Sequence, residues 1–348
     1  MANQHQSSRP EREAMSRRLM RRSAVSGEIQ LPAVPSMIDD YVALCGNVFS
    51  DVGRAFDDAE LDHLRQMLQR QLDDAFRKSP RSTITVSYRA GIASLLTYEI
   101  TVEWWSLEKT YENWIATRTP PLFGTEPDAR VWALATAAAD PAAFPVLDVG
   151  AGTGRNTMAL ARRGHPVDAV ELTAKFAEHI ADEAEREQLP VRVIIGDVLA
   201  STQGLRNDYK MIVLSEVVSD FRSTEQLRAL FELAAAHLAP GGQLVFNTFV
   251  AKPGRELDDA ARELGQQCYS TLFTADEIAS AASGLRLLLV SDESVYDYEK
   301  AHLPPDTWPP TSWYAQWVSG QDVFDLPREQ CPVEMRWLVY GKIGTPQP

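Results

Sequence analysis

The chain has few cysteines and no long hydrophobic run. Its 348 residues include Cys45, Cys268 and Cys331, an odd number lying far apart, which argues against both a disulfide framework and a zinc site. No apolar run approaches the about 18 residues that a membrane helix requires. No N-terminal hydrophobic segment resembles a signal peptide. We therefore expect a cytoplasmic protein in a reducing compartment, without a membrane partner.

Basic residues are scarce outside the N-terminus. The formal net charge is −14, and residues 31–348 hold 28 basic against 45 acidic residues. A body this acidic repels phosphate backbones, so we do not expect nucleic acid as a partner. Residues 1–30 are basic instead, with six arginines and three glutamates. We interpret them as a disordered, solvated tail, and an RNA- or membrane-binding arm is the alternative.

No internal repeat is present. The pattern of predicted strands and helices divides the chain after residue 30 into two regions. Residues 31–140 predict a mixed helical and β-rich N-terminal region, acting as a lid or an acceptor-binding part. Residues 141–348 alternate strand and helix, which predicts an α/β domain with a doubly wound parallel sheet. The predicted strands of this domain are 145–149, 167–171, 191–195, 210–215, 242–249, 285–290 and 334–342; its predicted helices include 155–163, 174–187 and 224–238.

A glycine-rich turn follows the first of these strands. Residues 146–154 read Val-Leu-Asp-Val-Gly-Ala-Gly-Thr-Gly, and a predicted helix follows at once. Glycine lets the backbone approach a ligand closely, and a helix start presents free N–H groups. A dinucleotide-binding turn has the spacing G-x-G-x-x-G, whereas here the third glycine comes one residue early. This form resembles the first motif of class I S-adenosylmethionine (SAM) dependent methyltransferases.

The resemblance implies a Rossmann-like seven-stranded sheet whose last strand is antiparallel. It also implies that Glu171, at the end of the second strand, accepts the ribose hydroxyls of SAM. Asp197, after the third strand, would accept from the adenine amine. A carboxylate ending a strand is otherwise a common helix cap or surface residue. The expected cofactor contacts in this core are Asp148, Gly150, Ala151, Gly152, Gly154, Asn156, Glu171, Leu172, Asp197, Val198 and Ser215.

A second resemblance lies upstream of the core. Residues 121–128 read Pro-Leu-Phe-Gly-Thr-Glu-Pro-Asp. This segment is similar to the one that precedes the core in tellurite-resistance and thiopurine-type methyltransferases, which act on small molecules. By that resemblance Tyr111, Trp114 or Arg118 would help to enclose SAM. Packing of these aromatic side chains in a core is the alternative.

Candidates for catalysis are few. Glu216 follows the fourth strand and is the preferred general base, with Asp220 nearby as an acceptor contact. Both acids could instead cap a helix or face water. His302 is the preferred histidine because it lies among aromatic residues. The sequence lacks an Asn-Pro-Pro-Tyr type tetrapeptide, which disfavours nucleic-acid and protein-glutamine acceptors. No metal is expected.

Residues 291–333 form a proline- and aromatic-rich insertion between the last two strands. A loop this long in a compact domain is usually functional or disordered, and its aromatic content argues against disorder. Aromatic faces beside acids suit a cationic or flat aromatic acceptor. A subsidiary core covering the sheet edge is the alternative. The expected acceptor contacts here are Tyr296, Trp308, Trp313 and Trp317.

These features together predict a SAM-dependent methyltransferase that acts on a small molecule of specialised metabolism. They do not decide whether the attacking atom is oxygen, nitrogen or sulfur. A protein or peptide methyltransferase, with an open acidic groove, is the alternative enzyme. A non-catalytic SAM-binding partner subunit and a nucleotide-dependent oxidoreductase are further alternatives.

Overall fold

A computed structural model describes residues 9–92, 95–118 and 121–344. The chain divides into two compact units, Met1–Ser106 and Leu107–Pro348. The division lies earlier than the boundary expected near residue 140, because helices α4 (Leu107–Thr117) and α5 (Ala129–Thr136) belong to the second unit. No helix of the described residues has both the length and the apolar character of a membrane span.

The first unit is a three-stranded antiparallel sheet with helices. The strands lie in the order β1 (Val25–Pro32), β2 (Thr83–Ala90) and β3 (Leu96–Glu103). Helices α2 (Ile38–Asp51) and α3 (Asp58–Lys78) pack together beside it. Helix α3 buries a row of leucines at helical spacing, Leu64, Leu68 and Leu72. The sequence also predicts a β-rich stretch that starts at Ser94, which lies outside the described residues, and the strand there is described from Leu96.

Residues 9–30, the described part of the N-terminal segment, differ from the disordered tail that the charge of residues 1–30 suggested. Helix α1 (Arg9–Met20) buries no residue, but strand β1 pairs with β2 along its full length. The physical reason is an alternation of inward and outward side chains along β1, which favours a strand with one covered face. Gly27 interrupts the apolar pattern because Tyr88 packs on it: a Cβ at Gly27 would lie 2.5 Å from the Tyr88 hydroxyl oxygen.

The second unit contains the predicted doubly wound sheet. Its strands lie in the order β10-β11-β8-β7-β4-β5-β6, and the short β9 pairs with β8 outside this path. Strands β4 to β8 are mutually parallel, whereas β11 is antiparallel to both of its neighbours. This confirms the seven-stranded fold with an antiparallel last strand. The strands are β4 (Val146–Val149), β5 (Val167–Glu171), β6 (Val191–Ile195), β7 (Tyr209–Leu214), β8 (Leu238–Ala251), β9 (Leu272–Phe273), β10 (Leu287–Ser294) and β11 (Val333–Lys342).

Hydrophobic cores cover both faces of the sheet. Alternate residues of β7 point to opposite sides, with Ile212 and Leu214 in one core and Met211 and Val213 in the other. Such strands, buried on both faces, are continuously apolar. The helices of the unit that follow α5 are α6 (Arg155–Arg162), α7 (Ala174–Glu187), α8 (Thr224–His237), α9 (Asp259–Gln267), α10 (Ala275–Ala282), α11 (Val295–His302) and α12 (Tyr314–Val318).

The aromatic insertion is folded and begins later than residue 291. Strand β10 continues to Ser294, and helices α11 and α12 occupy part of the following segment. Tyr314 and Trp317 of α12 are buried in the core that includes Met211 and Val213. The insertion therefore covers one face of the sheet.

Candidate functional site

A cavity of about 530 Å³ lies at the carboxyl ends of the parallel strands, where open α/β sheets bind ligands. Every residue that lines it belongs to the second unit. The glycine turn between β4 and α6 forms part of its wall. Gly150, Gly152 and Gly154 all have left-handed backbone conformations, with φ of 68°, 56° and 83°.

The three glycines have different neighbours. A Cβ at Gly150 would lie 2.4 Å from Cγ2 of Val217, and one at Gly154 would lie 3.0 Å from Cγ1 of Ile180. A Cβ at Gly152 would meet little besides the Phe123 ring, at 3.7 Å. Gly150 and Gly154 are therefore required for packing. Gly152 instead leaves the backbone open to the cavity.

Glu171, predicted to bind ribose, is 6% exposed and holds the glycine turn in place. Its Oε2 accepts from the Gly152 N–H at 2.8 Å, and its Oε1 accepts from the Thr173 N–H at 2.7 Å. The carboxylate lies in the cavity wall beside the exposed side chain of Leu172. Glu171 thus joins the ends of β4 and β5 and presents a carboxylate to the cavity.

Asp197 and Val198, after β6, extend the same wall. Asp197 is exposed, and its Oδ1 accepts from the Leu199 N–H at 2.8 Å. Val198 is buried. The structure thus brings the predicted residues of the first three parallel strands to one cavity.

Asp148 and Asn156 reach the cavity from opposite ends of the glycine turn. Asp148 is buried and accepts from the Thr157 hydroxyl at 2.6 Å. Burial raises its pKa to about 7. Asn156 is paired with Asp128: its amide donates to the carboxylate at 2.8 Å and its carbonyl accepts from the backbone N–H at 2.9 Å.

Glu216, the predicted general base, lies in the cavity wall but is ion-paired. Arg155 donates to Glu216 at 3.0 Å and to Asp128 at 2.7 Å. Burial raises the pKa of Glu216 to about 7, although the charge of Arg155 opposes this shift. Glu216 also has a left-handed backbone, φ 61°, and its N–H donates to Asn247 at 2.6 Å. Non-glycine residues in this conformation are strained and concentrate at functional sites.

Aromatic rings form a second wall of the cavity. Tyr111 and Trp114 of α4 lie edge to face, with ring centroids 5.3 Å apart. The Trp114 ring is 5.2 Å from Tyr269, and the Tyr111 ring is 6.1 Å from Phe176. The Tyr111 hydroxyl donates to Asp220 at 3.2 Å, which places that predicted acceptor contact in the same wall. Arg118 also lines the cavity.

The aromatic insertion contributes only part of what the sequence predicted. Trp313 and Trp317 line the cavity, whereas Tyr296 and Trp308 pack against each other, 5.2 Å apart, away from its lining. His302 is exposed and bonded to the Tyr298 carbonyl at 2.7 Å. The prediction of a catalytic His302 therefore has no geometric support, because the ring lies on the surface of α11 and outside the cavity lining.

Several lining residues were missed by sequence reasoning. Arg155 follows Gly154 directly, so its position after the turn was the available signal. Phe123 lies within the quoted segment 121–128, as does Asp128, which does not line the cavity but pairs with the lining residues Arg155 and Asn156. Tyr269 and Asp322 carry no local motif and are brought to the cavity by the tertiary fold.

The cavity offers the kinds of contact that SAM requires. The glycine turn provides close backbone approach, and Glu171 and Asp197 provide acceptors for hydroxyl and amine donors. The hydroxyl oxygen of Ser215 is buried in the cavity wall without a hydrogen-bond partner in the described residues. Ala151 completes the lining beside the turn. Among the described residues, no group of three or more His, Cys, Asp or Glu side chains is placed to hold a metal ion.

This strand order, with a glycine turn after the first parallel strand, is the one that the resemblance to class I methyltransferases implies. Residues 146–242 match the family described as Methyltransferase domain, which confirms the resemblance of the core that begins with the glycine turn to methyltransferases.

The chain is similar to other proteins over parts of its length. Hemagglutinin 1 of Eikenella corrodens is 34% identical over 96 residues, 28% of this chain and 31% of that protein, so the match spans about a third of that relative's length. Geranyl diphosphate C-methyltransferase from Streptomyces coelicolor is 16% identical, with a TM-score of 0.48 over 62% of this chain and 80% of its own. A putative sarcosine dimethylglycine methyltransferase from Galdieria sulphuraria is 17% identical, with a TM-score of 0.47 over 62% of this chain and 85% of its own.

Proposed function

We propose that this protein is a SAM-dependent methyltransferase that methylates a small-molecule acceptor. The observation that carries the proposal is that the glycine turn, Glu171 and Asp197 meet the aromatic wall in one cavity. Its volume falls in the range of small-molecule sites, about 300–1,000 Å³. A protein or peptide acceptor remains the alternative function.

The chain's own residues supply binding and orientation. Bound SAM would supply an activated methyl group on a sulfonium. The turn at Gly152, with Glu171, Asp197 and Ser215, would hold the cofactor. The aromatic wall would exclude water and orient the acceptor, and positioning is the main contribution to such a displacement. We propose Glu216 and Asp220 as the acids that would accept a proton from the acceptor.

Three free cysteines support a reducing compartment for the protein. Cys45 and Cys331 are buried, and none of the three is in a disulfide. We propose a cytoplasmic location on this basis.

Transfer of labelled methyl groups tests the proposed activity. The full chain is incubated with SAM carrying a tritiated methyl group, together with a cell extract separated into small-molecule and protein fractions. We expect label in the small-molecule fraction, suppressed by excess S-adenosylhomocysteine (SAH). Label in the protein fraction alone would support the alternative acceptor, and label in neither would contradict the proposed activity.

A further inference from the structure

Three aromatic rings in the cavity wall are in mutual contact. Tyr111 belongs to helix α4, Phe123 to the segment between α4 and α5, and Phe176 to the first turn of α7. The ring centroids of Tyr111 and Phe123 are 6.4 Å apart, those of Tyr111 and Phe176 6.1 Å, and those of Phe123 and Phe176 6.0 Å. All three residues line the cavity. Because each ring contacts both others, the three meet at one place in the wall, and we call them the ring triad.

The ring triad lies beside Gly152 of the glycine turn. The Phe123 ring is the nearest group to the position that a Cβ of Gly152 would take, at 3.7 Å. The Gly152 N–H is bonded to Glu171, at 2.8 Å. Under the proposed function Glu171 binds the ribose of SAM and the glycine turn approaches its methionine part, and the sulfur atom joins these two parts of the cofactor. We therefore expect the sulfur of bound SAM beside Gly152, facing the ring triad.

Contacts within and around the ring triad hold its rings in place. The three ring pairs have interplanar angles of 71°, 67° and 69°, the edge-to-face geometry that aromatic pairs favour. The Tyr111 hydroxyl donates to Asp220 at 3.2 Å, and Phe176 is buried. The arrangement therefore exists before a ligand binds, so that little ordering of side chains is needed on binding.

The sulfur of the cofactor changes its charge during methyl transfer. SAM carries a positive sulfonium, whereas the product SAH carries a neutral thioether. The face of an aromatic ring is electron-rich and attracts a cation, and groups of rings recognise cations that have no hydrogen-bond donor, such as quaternary ammonium ions. A sulfonium likewise has no N–H or O–H to donate. Ring faces therefore suit it better than hydrogen-bond acceptors do.

We infer that the ring triad recognises the sulfonium of SAM and makes the site prefer the methyl donor to its product SAH; this inference rests on the proposed methyltransferase function. Tyr111, Phe123 and Phe176 are thus specificity-determining residues for the cofactor. The positive charge is lost when the methyl group leaves the sulfur. The contribution of the rings to binding is lost with it, and SAH is released more readily than SAM.

The affinities of the full chain for SAM and for SAH, measured by calorimetry, test this inference. The wild-type chain should bind SAM more tightly than SAH. Phe123→Leu and Phe176→Leu should each lower the ratio of SAM to SAH affinity about fivefold, because one ring face is lost, and leave the SAH affinity nearly unchanged. Leucine keeps an apolar surface and leaves more room for the methyl group, so a steric effect would raise the ratio instead.

Two further variants separate recognition of the charge from packing. Phe123→Tyr keeps the ring and should keep the wild-type ratio. Trp313→Leu is the matched control, because Trp313 lines the cavity outside the ring triad, and it should also keep the ratio. An unchanged ratio in both triad variants, equal losses of SAM and SAH affinity, a ratio lowered as much by Trp313→Leu, or tighter wild-type binding of SAH than of SAM would overturn the inference. Failure of the wild-type chain to bind either ligand would instead overturn the proposed function itself.

Discussion

At the scale of single residues, the central feature of the site is a shortage of positive charge. Arg155 contacts Asp128 and Glu216. The charges of Asp128 and Arg155 also act on the pKa of the buried Asp148. One buried cation cannot neutralise three buried carboxylates. Removing one partner of a buried ion pair leaves charge without compensation, which is costly.

Replacement of Arg155 tests this network. Arg155→Met should lower the free energy of unfolding by about 3–5 kcal/mol, because Asp128 and Glu216 lose their buried partner. Arg206→Met is the control, since Arg206 pairs with Asp208 on the surface and such pairs contribute about 0–1 kcal/mol. Urea denaturation of both variants gives the comparison. Equal losses would show that the Arg155 network does not stabilise the fold.

Buried carboxyls also set the pH dependence of stability. Burial raises the pKa of Asp148, Glu216 and Glu299 to about 7 in the folded protein. Because these values lie above the unfolded ones, the folded protein binds more protons than the unfolded chain between about pH 4.5 and 7. The free energy of unfolding should therefore fall as the pH rises through this window.

Chemical denaturation at pH 5, 6, 7 and 8 measures this slope. Acids with lowered pKa, such as Asp208 and Asp297, act below the window and do not reverse it. Glu216→Gln should flatten the slope by removing one of the three groups. A free energy of unfolding that rises between pH 5 and 7 would show that these carboxyls stay charged.

At the scale of elements, the glycine turn can be tested with a matched pair of substitutions. Gly152→Ala adds a Cβ that faces the cavity at φ 56°, whereas Gly254→Ala adds one to open space at φ 74°. Both should cost about 1–2 kcal/mol of stability because of the left-handed backbone. SAH affinity, measured by calorimetry, should fall in Gly152→Ala alone. Equal SAH affinity in the two variants would contradict the role of the turn.

Elements with a clear periodic apolar pattern could be predicted from the sequence, whereas the start of a strand could not always be. The helix predicted at 174–187 is observed with those bounds, because its apolar face repeats at helical spacing between clear ends. Strand β8 begins at Leu238, before its predicted start at 242, because Leu238 pairs with Tyr209 ahead of an irregularity in the register. Strand β1 was missed because Gly27 replaces an inward side chain.

The aromatic insertion is a segment whose contacts could not be predicted from the sequence. Its aromatic composition predicted that it is ordered, but not which rings reach the cavity. Trp313 and Trp317 do so because helix α12 places them there, whereas Tyr296 packs under the guanidinium of Arg328, 4.0 Å from its ring centroid. Tertiary packing, absent from any local pattern, makes this distinction.

At the scale of the whole molecule, all the residues that line the cavity come from the second unit. A fragment comprising residues 107–348 should therefore fold and bind SAH with about the affinity of the full chain. Thermal unfolding with and without SAH measures this, because a ligand of the folded state raises the unfolding temperature. A fragment that folds but does not bind would show that residues before 107 complete the site.

Calorimetric titration of the full chain with SAH tests the central claim, that the cavity at the carboxyl ends of the strands is a SAM site. We predict saturable binding of one SAH per chain, competitive with SAM and weakened in Gly152→Ala but not in Gly254→Ala. An absence of binding at millimolar SAH by a folded chain would contradict the assignment of the cavity and the function proposed from it.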